Sequence, residues 1–163
     1  MMTDAIETAI KMETDALVFY DEASGNCSHP FAIEMFKGFM KDETRHLKML
    51  REIFANQPVT PDFASPRATV NTVFSLLKDA MMERVKVLGN ELEAVNIALK
   101  FEKEGFDFYK KAAVEAGSEE EGKLFERLAA EEDEHYSILL ETYEFLDNTG
   151  HWYMYEERGI VEG

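Results

Sequence analysis

This sequence contains one cysteine and no long apolar run, and each of these features excludes whole classes of protein. It also contains no proline after residue 66. One cysteine, Cys27, excludes an internal disulfide, a Cys-x-x-Cys zinc ribbon and a rubredoxin-type iron centre. No run of 18 apolar residues is present, so no transmembrane helix is expected. The N-terminus lacks a basic region ahead of its first apolar residues, so we expect no secretory signal. A lone thiol in such a chain fits a cytoplasmic location.

Positive charge is also in short supply. The 163 residues include 17 Lys and Arg against 33 Asp and Glu, which gives a formal net charge of −16. An acidic surface of this kind repels phosphates, so neither nucleic acid nor an anionic membrane is predicted as a partner. The charge suits a protein that handles cations, although acidic surfaces more often serve solvation alone. Hydrophobic residues make up 45% of the chain, which is enough for a globular core.

The spacing of apolar residues predicts an all-α fold. Apolar positions recur at intervals of three and four, and all four prolines lie between residues 30 and 66. Pro30 suits the first turn of a helix capped by Ser28 or His29. A capping box at Ser118 and Glu121 opens another helix, and Asn90 resembles the cap of a third. The expected helices are the first from about residue 3 to 24, then 30–55, one opening at 90, and 118–147.

A long connection separates the second and third of these helices. It extends from residue 56 to 89, begins rich in proline, and has helical spacing from about residue 65 to 87. A link of this length can run the length of a bundle and bring the third helix in parallel to the second. We therefore predict one antiparallel four-helix-bundle domain over residues 1–147, built from two hairpins, and a separate aromatic tail over 148–163.

The two hairpins repeat each other at an offset of 89 residues, without a gap. Phe19-Tyr20 recurs as Phe108-Tyr109, and apolar positions match in both hairpins. A repeated hairpin that packs on its copy gives a bundle with a pseudo-two-fold axis. The polar residues that match at this offset are Glu13 with Glu102, Glu43 with Glu132, and His46 with His135.

These six polar residues occupy positions where a bundle buries its apolar seam. The seam of the second helix, for example, reads Phe36, Phe39, Glu43, His46, Leu50 in steps of three and four. Burying one lone carboxylate costs several kcal/mol, and four together cost more. No Lys or Arg occupies the seam at that level, so either the carboxylates are protonated or metal ions neutralise them.

The donor set favours metal. Four glutamates bring four negative charges, which two divalent ions balance, and a Glu-x-x-His step places both side chains on one helix face. Oxygen-rich ligation with one nitrogen for each ion suits iron or manganese, whereas structural zinc prefers thiolates, although zinc stays possible here. We predict two iron ions as the cofactor and the following metal ligands: Glu13, Glu43, His46, Glu102, Glu132 and His135.

With these residues in place, the sequence resembles the rubrerythrin branch of the ferritin-like di-iron carboxylate proteins over about residues 3–147. The resemblance rests on one Glu from each of two helices and a Glu-x-x-His from each of the other two. It implies that Glu13 and Glu102 are terminal ligands and that Glu43 and Glu132 bridge the ions. Rubrerythrins usually carry a further glutamate where this chain has Gly105, and a rubredoxin domain that one cysteine cannot form. A stand-alone relative is therefore the closer match.

Several neighbours are candidates to support or border the ligands. Tyr20 and Tyr109 each lie seven residues after a ligand and can donate to a facing glutamate, or serve as ordinary core aromatics. By the pseudo-symmetry, Asp42 would hold His135 and Glu131 would hold His46, because a ligand histidine needs such a partner.

Small residues follow both terminal ligands by one turn. Ala16 and Gly105 are equivalent at the 89-residue offset and share a helix face with Glu13 and Glu102. A glycine inside a helix costs about 1 kcal/mol relative to alanine, so Gly105 serves either close packing or an open pocket. The second alternative predicts a small pocket through which dioxygen or peroxide reaches the metals.

Three functions are compatible with these residues. The first is a di-iron oxidoreductase that reduces dioxygen or hydrogen peroxide with electrons from a separate donor protein. The second is ferroxidase-linked iron sequestration, and the third is a non-catalytic helical protein that binds metal. We expect the chain to form a homodimer.

Overall fold

A computed structural model of the chain describes residues 2–72 and 89–147. These residues form four long helices and the first part of a fifth, with no strand among them, which confirms the all-α prediction. The predicted tail over 148–163 and the part of the predicted 65–87 helix beyond residue 72 lie outside the described residues. The helices are α1 (Met2–Asn26), α2 (Pro30–Phe54), α3 (described over 66–72), α4 (Gly89–Val114) and α5 (Glu119–Asp147).

The capping signals place two helix starts correctly and one wrongly. The His29 side chain accepts a hydrogen bond from the Phe31 amide through Nδ1 at 3.2 Å, with Pro30 in the first turn behind it. The Ser118 hydroxyl accepts a bond from the Glu121 amide at 3.2 Å, as a capping box requires. Asn90 is not a cap, because α4 begins at Gly89 and Asn90 already lies in the helix. The α1 boundaries differ from the expected ones by one or two residues.

The helices pair as two antiparallel hairpins that pack face to face. Most helix contacts lie within the hairpins α1/α2 and α4/α5. Between hairpins, Tyr109 of α4 meets Glu13 of α1, and Tyr20 of α1 meets Glu102 of α4. This crossed pairing makes α1 and α4 antiparallel, so α2 and α4 run parallel. The predicted bundle direction is thereby confirmed.

The core has two apolar clusters with a polar layer between them. One cluster includes Phe36, Phe39 and Ile138, and the other includes Leu50, Phe125 and Leu128. On each long helix the candidate ligands lie between residues of the first cluster and residues of the second. The charged layer is thus enclosed by apolar side chains above and below, which separate it from the two ends of the bundle.

The segment after α2 begins with a sharp change of direction. Asn56 has φ of 54°, a left-handed conformation that asparagine tolerates better than most residues. The segment then follows α5: the Ser65 hydroxyl donates to Glu134 at 2.9 Å, and Val70 of α3 is buried in the core. None of the helices, as far as the structure describes them, is long and apolar enough to cross a membrane.

A buried carboxylate at the start of α4 joins the two hairpins. Glu91 has no exposed surface and accepts hydrogen bonds from the amides of Ser28 at 2.5 Å and His29 at 2.9 Å. It therefore caps the N-terminus of α2, where the helix dipole favours a negative charge. Burial raises the pKa of the neighbouring Cys27 thiol to about 11, so this cysteine stays a protonated, inert core residue.

Candidate metal centre

The structure brings all six candidate ligands together in the polar layer. Each comes from the middle of its helix, and none is more than 4% exposed. They form two groups of four in which the potential ligand atoms lie within 4.8 Å of one another. One group is Glu13, Glu43, His46 and Glu132, and the other is Glu43, Glu102, Glu132 and His135.

The two groups share Glu43 and Glu132 and differ in the remaining residues. Glu13 and His46 belong to one group alone, and Glu102 and His135 to the other. This is the arrangement in which two carboxylates can contact two ions at once while each ion keeps one further carboxylate and one imidazole. The geometry thus offers two overlapping groups with two shared carboxylates, and the number of ions and their ligation stay a prediction.

Both histidines turn the same ring nitrogen toward the centre. His46 Nε2 donates to Glu131 Oε2 at 3.1 Å, and His135 Nε2 donates to Asp42 Oδ2 at 2.9 Å. Each Nδ1 faces the glutamates instead, with His46 Nδ1 at 3.3 Å from Glu43 Oε2. Because the outer carboxylate fixes the proton on Nε2, the lone pair of the neutral ring lies on Nδ1, where a metal ion can bind.

Asp42 and Glu131 are held in the ionised form that lets them accept hydrogen bonds from the two histidines. Burial raises the pKa of Asp42, but hydrogen bonds from His135 and Arg45 outweigh it, so the pKa lies below its usual value. Burial likewise raises the pKa of Glu131, and the bonds from His46 and Arg45 lower it further than burial raises it. Both side chains are therefore acceptors at neutral pH.

Arg45 connects Asp42 and Glu131, a role that the sequence did not predict. Its Nη2 atom lies 2.5 Å from Asp42 Oδ1 and 2.9 Å from Glu131 Oε1, and Nη1 donates to the Asp62 carbonyl at 2.6 Å. One guanidinium thus supports the partners of both histidines. The signal in the sequence was the three-residue spacing from Asp42, but the equivalent of Arg45 in the second hairpin is Glu134, so the repeat gave no indication.

Tyr20 and Tyr109 each donate a hydrogen bond across the hairpin interface to a glutamate that belongs to only one ligand group. Tyr109 Oη donates to Glu13 Oε1 at 2.5 Å, and Tyr20 Oη donates to Glu102 Oε1. Burial, together with repulsion from the surrounding carboxylates, raises the pKa of both hydroxyls well above 10. Each tyrosine therefore remains a neutral donor, and each is fully buried.

Without a metal ion, protons on Glu132 and the two histidines reduce the repulsion among the buried carboxylates. Burial raises the pKa of Glu132 well above its usual value, and repulsion from Glu102 and Glu43 adds to the shift. Burial lowers the pKa of His46 and His135, but their carboxylate neighbours outweigh it and raise both well above 6.5. The centre therefore retains protons that a metal ion would displace.

The unsatisfied atoms of the layer fit a metal better than a hydrogen-bond network. Buried polar atoms almost always have a partner, and each exception needs an explanation. Both oxygens of Glu43 and one oxygen each of Glu102 and Glu132 have none among the described residues, nor has Nδ1 of either histidine. Six inward donors, oxygen-rich with two imidazole nitrogens and no thiolate, match iron or manganese.

A cavity of about 130 Å³ adjoins the centre on the side of α1 and α4. Ala16 and Gly105 line it, as do Glu13, Glu102 and Glu132. A Cβ atom placed on Gly105 would lie 3.5 Å from Glu132 Oε2, which is ordinary contact. Gly105 therefore does not permit an otherwise impossible backbone approach, and its lack of a side chain leaves space beside Glu132. The predicted pocket lies where Ala16 and Gly105 indicated.

Comparison with known proteins agrees with these residues. The model of the rubrerythrin family matches residues 4–143, a range that includes all six candidate ligands. No curated protein and no solved structure matches the chain.

Proposed function

The chain belongs to the rubrerythrin family, and from that premise we propose that it is a non-haem di-iron oxidoreductase that reduces dioxygen or hydrogen peroxide. The observation that carries the proposal is the pair of buried ligand groups that share Glu43 and Glu132. Two shared carboxylates are what a protein needs to keep two like-charged ions close together, because the anions screen their mutual repulsion.

The residues that would hold the two ions are those of the two groups. Glu13 and His46 would serve one ion, Glu102 and His135 the other, and Glu43 and Glu132 both. A bound pair of ferrous ions supplies two electrons, which with two protons convert one hydrogen peroxide to two waters.

The chain's own residues would orient the ligands and limit what reaches them. Asp42 and Glu131 fix the orientation of the histidine rings. The neutral hydroxyls of Tyr20 and Tyr109 donate to Glu102 and Glu13 and fix their positions. Such support matters because a small misplacement of a ligand costs a large factor in rate. The cavity of about 130 Å³ beside the ligands has room for dioxygen or hydrogen peroxide.

In this proposal the electrons come from a separate donor protein, and the active unit is a homodimer. The 163 residues contain one cysteine, so they hold no four-cysteine rubredoxin centre of their own. A partner with a one-electron carrier would have to reduce the site twice in each turnover.

Titration of the ferrous protein with peroxide tests the proposal. Protein loaded anaerobically with two Fe²⁺ per chain should lose its ferrous iron at one hydrogen peroxide for every two ions, as read by absorbance in the near ultraviolet. Iron sequestration predicts uptake and oxidation that continue beyond two ions per chain. A non-catalytic metal-binding protein predicts no rapid oxidation above the rate of free Fe²⁺. The Glu43→Ala variant is the control, since both groups lose a ligand.

A further inference from the structure

The cavity beside the centre lies where the two halves of the repeat meet. Four pairs of equivalent positions on α1 and α4 line it, together with Tyr109 and Glu132, so it straddles the pseudo-two-fold axis. The pairs that matter here are Glu13 with Glu102, Asp15 with Glu104, and Ala16 with Gly105.

The inner and outer parts of the cavity carry the same charge. Asp15 and Glu104 are exposed, whereas Glu13, Glu102 and Glu132 are buried. Among the described residues that line the cavity, none is Lys, Arg or His. Carboxylates therefore follow one another from solvent to the centre, and they form a path of one sign walled by Met12 and Phe101. A cleft of this kind concentrates cations and repels anions.

Buried atoms at the inner end of this path are left without partners. Glu102 Oε2 and Glu132 Oε1 accept no hydrogen bond from any described residue, although both side chains are more than nine-tenths buried. Glu102 belongs to one ligand group and Glu132 to both, so the path ends at both metal positions.

We propose that this cavity is the entry port of the metal ion: a divalent transition-metal cation is drawn in by Asp15 and Glu104 and passes between Ala16 and Gly105 to the shared glutamates. The small side chains at these two positions leave the passage open, and the rim carboxylates supply the attraction. The other face of the centre is closed, since Asp42, Glu131 and Arg45 lie there in a hydrogen-bonded network.

The rate at which apoprotein takes up metal tests the port. Apoprotein is mixed with Co²⁺ in a stopped-flow instrument, and the visible absorbance of bound Co²⁺ is followed. Asp15→Asn combined with Glu104→Gln should slow uptake about tenfold at low ionic strength, because steering by nearby charges changes association rates by roughly 10–10³-fold. The wild-type rate should fall steeply with added KCl and approach that of the variant.

A matched variant separates the local effect from the loss of net charge. Glu7→Gln combined with Glu126→Gln removes two exposed carboxylates that do not line the cavity, and uptake should keep nearly the wild-type rate. Gly105→Leu, which fills the passage without a change in charge, should slow uptake at every salt concentration. Equal slowing by the two charge variants, or a wild-type rate that ignores salt, would overturn the port.

This inference rests on the metal centre of the proposed function, and the same experiment keeps the two apart. The number of Co²⁺ ions bound at long times and saturating metal reports on the ligands, whereas the initial rate reports on the port. If the double variant Asp15→Asn, Glu104→Gln binds two ions at the wild-type rate, the entry port is rejected and the metal centre is supported. Absence of tight binding in the wild-type protein would reject the centre itself.

Discussion

Arg45 donates a hydrogen bond of 2.9 Å to Glu131, a carboxylate that has no exposed surface. The same guanidinium nitrogen lies 2.5 Å from Asp42, so one cation joins the residues that hold His46 and His135. Its second nitrogen, Nη1, donates to the Asp62 carbonyl at 2.6 Å, and this fixed planar arrangement of two donor nitrogens is one that a lysine ammonium does not have. We therefore assign to Arg45 the positioning of both imidazoles at once.

Arg45→Gln should weaken metal binding at both positions. Loss of a ligand's hydrogen-bonding partner costs about 10–100-fold in affinity, and Arg45 acts one bond further out, so about tenfold is expected. Competition with a coloured chelator measures the change. Arg67→Gln is the matched control, because Arg67 pairs with Glu141 at 2.5 Å and contacts no candidate ligand. Equal affinities in the two variants would show that Arg45 serves the fold alone.

Removing a glutamate that both groups share should lower the number of bound ions more than removing Glu13, which belongs to one group. Glu13→Ala leaves the group of Glu43, Glu102, Glu132 and His135 complete, so about one ion per chain should remain. Glu43→Ala removes a ligand from both groups and should leave less than one tightly bound ion. Metal analysis after gel filtration reads both values. Two ions per chain in both variants would contradict the shared position of Glu43.

The apoprotein should lose stability as pH rises above about 6.5, the usual pKa of histidine. His46 and His135 have raised pKa values in the folded chain, so their contribution is full below 6.5 and disappears as pH rises through the folded values. Glu132 acts in the same direction, since its raised pKa means that the folded state retains a proton which the unfolded state releases above about 4.5. Urea denaturation at pH 6 to 9 measures the trend.

Metal should flatten this pH dependence, because a bound cation replaces the protons of the centre. The metal-loaded protein is the control, and its free energy of unfolding should fall less between pH 6.5 and 9. Asp42 and Glu131 have lowered pKa values and contribute stability that disappears only in acid, below their usual range. An apoprotein that gains stability from pH 6.5 to 9 would contradict the proton-filled centre.

Gly105→Ala should stabilise the apoprotein by about 0.5–1 kcal/mol, since alanine is the better helix former and its Cβ fits at 3.5 Å from Glu132. Gly38→Ala in α2 is the matched control, with Thr69 Cγ2 as its nearest neighbour at 3.9 Å. Both should raise the melting temperature, and only Gly105→Ala narrows the cavity. If Gly105→Ala destabilises while Gly38→Ala stabilises, the space beside Glu132 is needed by the centre itself.

The repeat explains why so much of the centre was predictable. Positions that match at an offset of 89 residues face each other across a pseudo-two-fold axis, so Glu43 and Glu132 were expected to meet. The same symmetry paired Asp42 with His135 and Glu131 with His46, and these contacts are present. Helix starts were predictable where the cap is local, as at Ser118, because the hydrogen bond spans three residues.

Features that break the symmetry or join distant segments were not predictable in this way. Arg45 has no equivalent in the second hairpin, and its two partners lie on different helices. Glu91 caps α2 from 62 residues away, a contact that only the packing of the hairpins creates. The acidic rim of Asp15 and Glu104 did follow the offset, but exposed carboxylates are common, and only the adjoining cavity distinguishes these two.

Anomalous diffraction from crystals loaded anaerobically with Fe²⁺ tests the central claim most directly. Data on both sides of the iron absorption edge locate iron without reference to the fold. We predict two peaks of similar height per chain, both in contact with Glu43 and Glu132, with His46 Nδ1 beside one and His135 Nδ1 beside the other. No peak between these glutamates, or a single peak bound by exposed carboxylates, would contradict the di-iron centre and the function proposed from it.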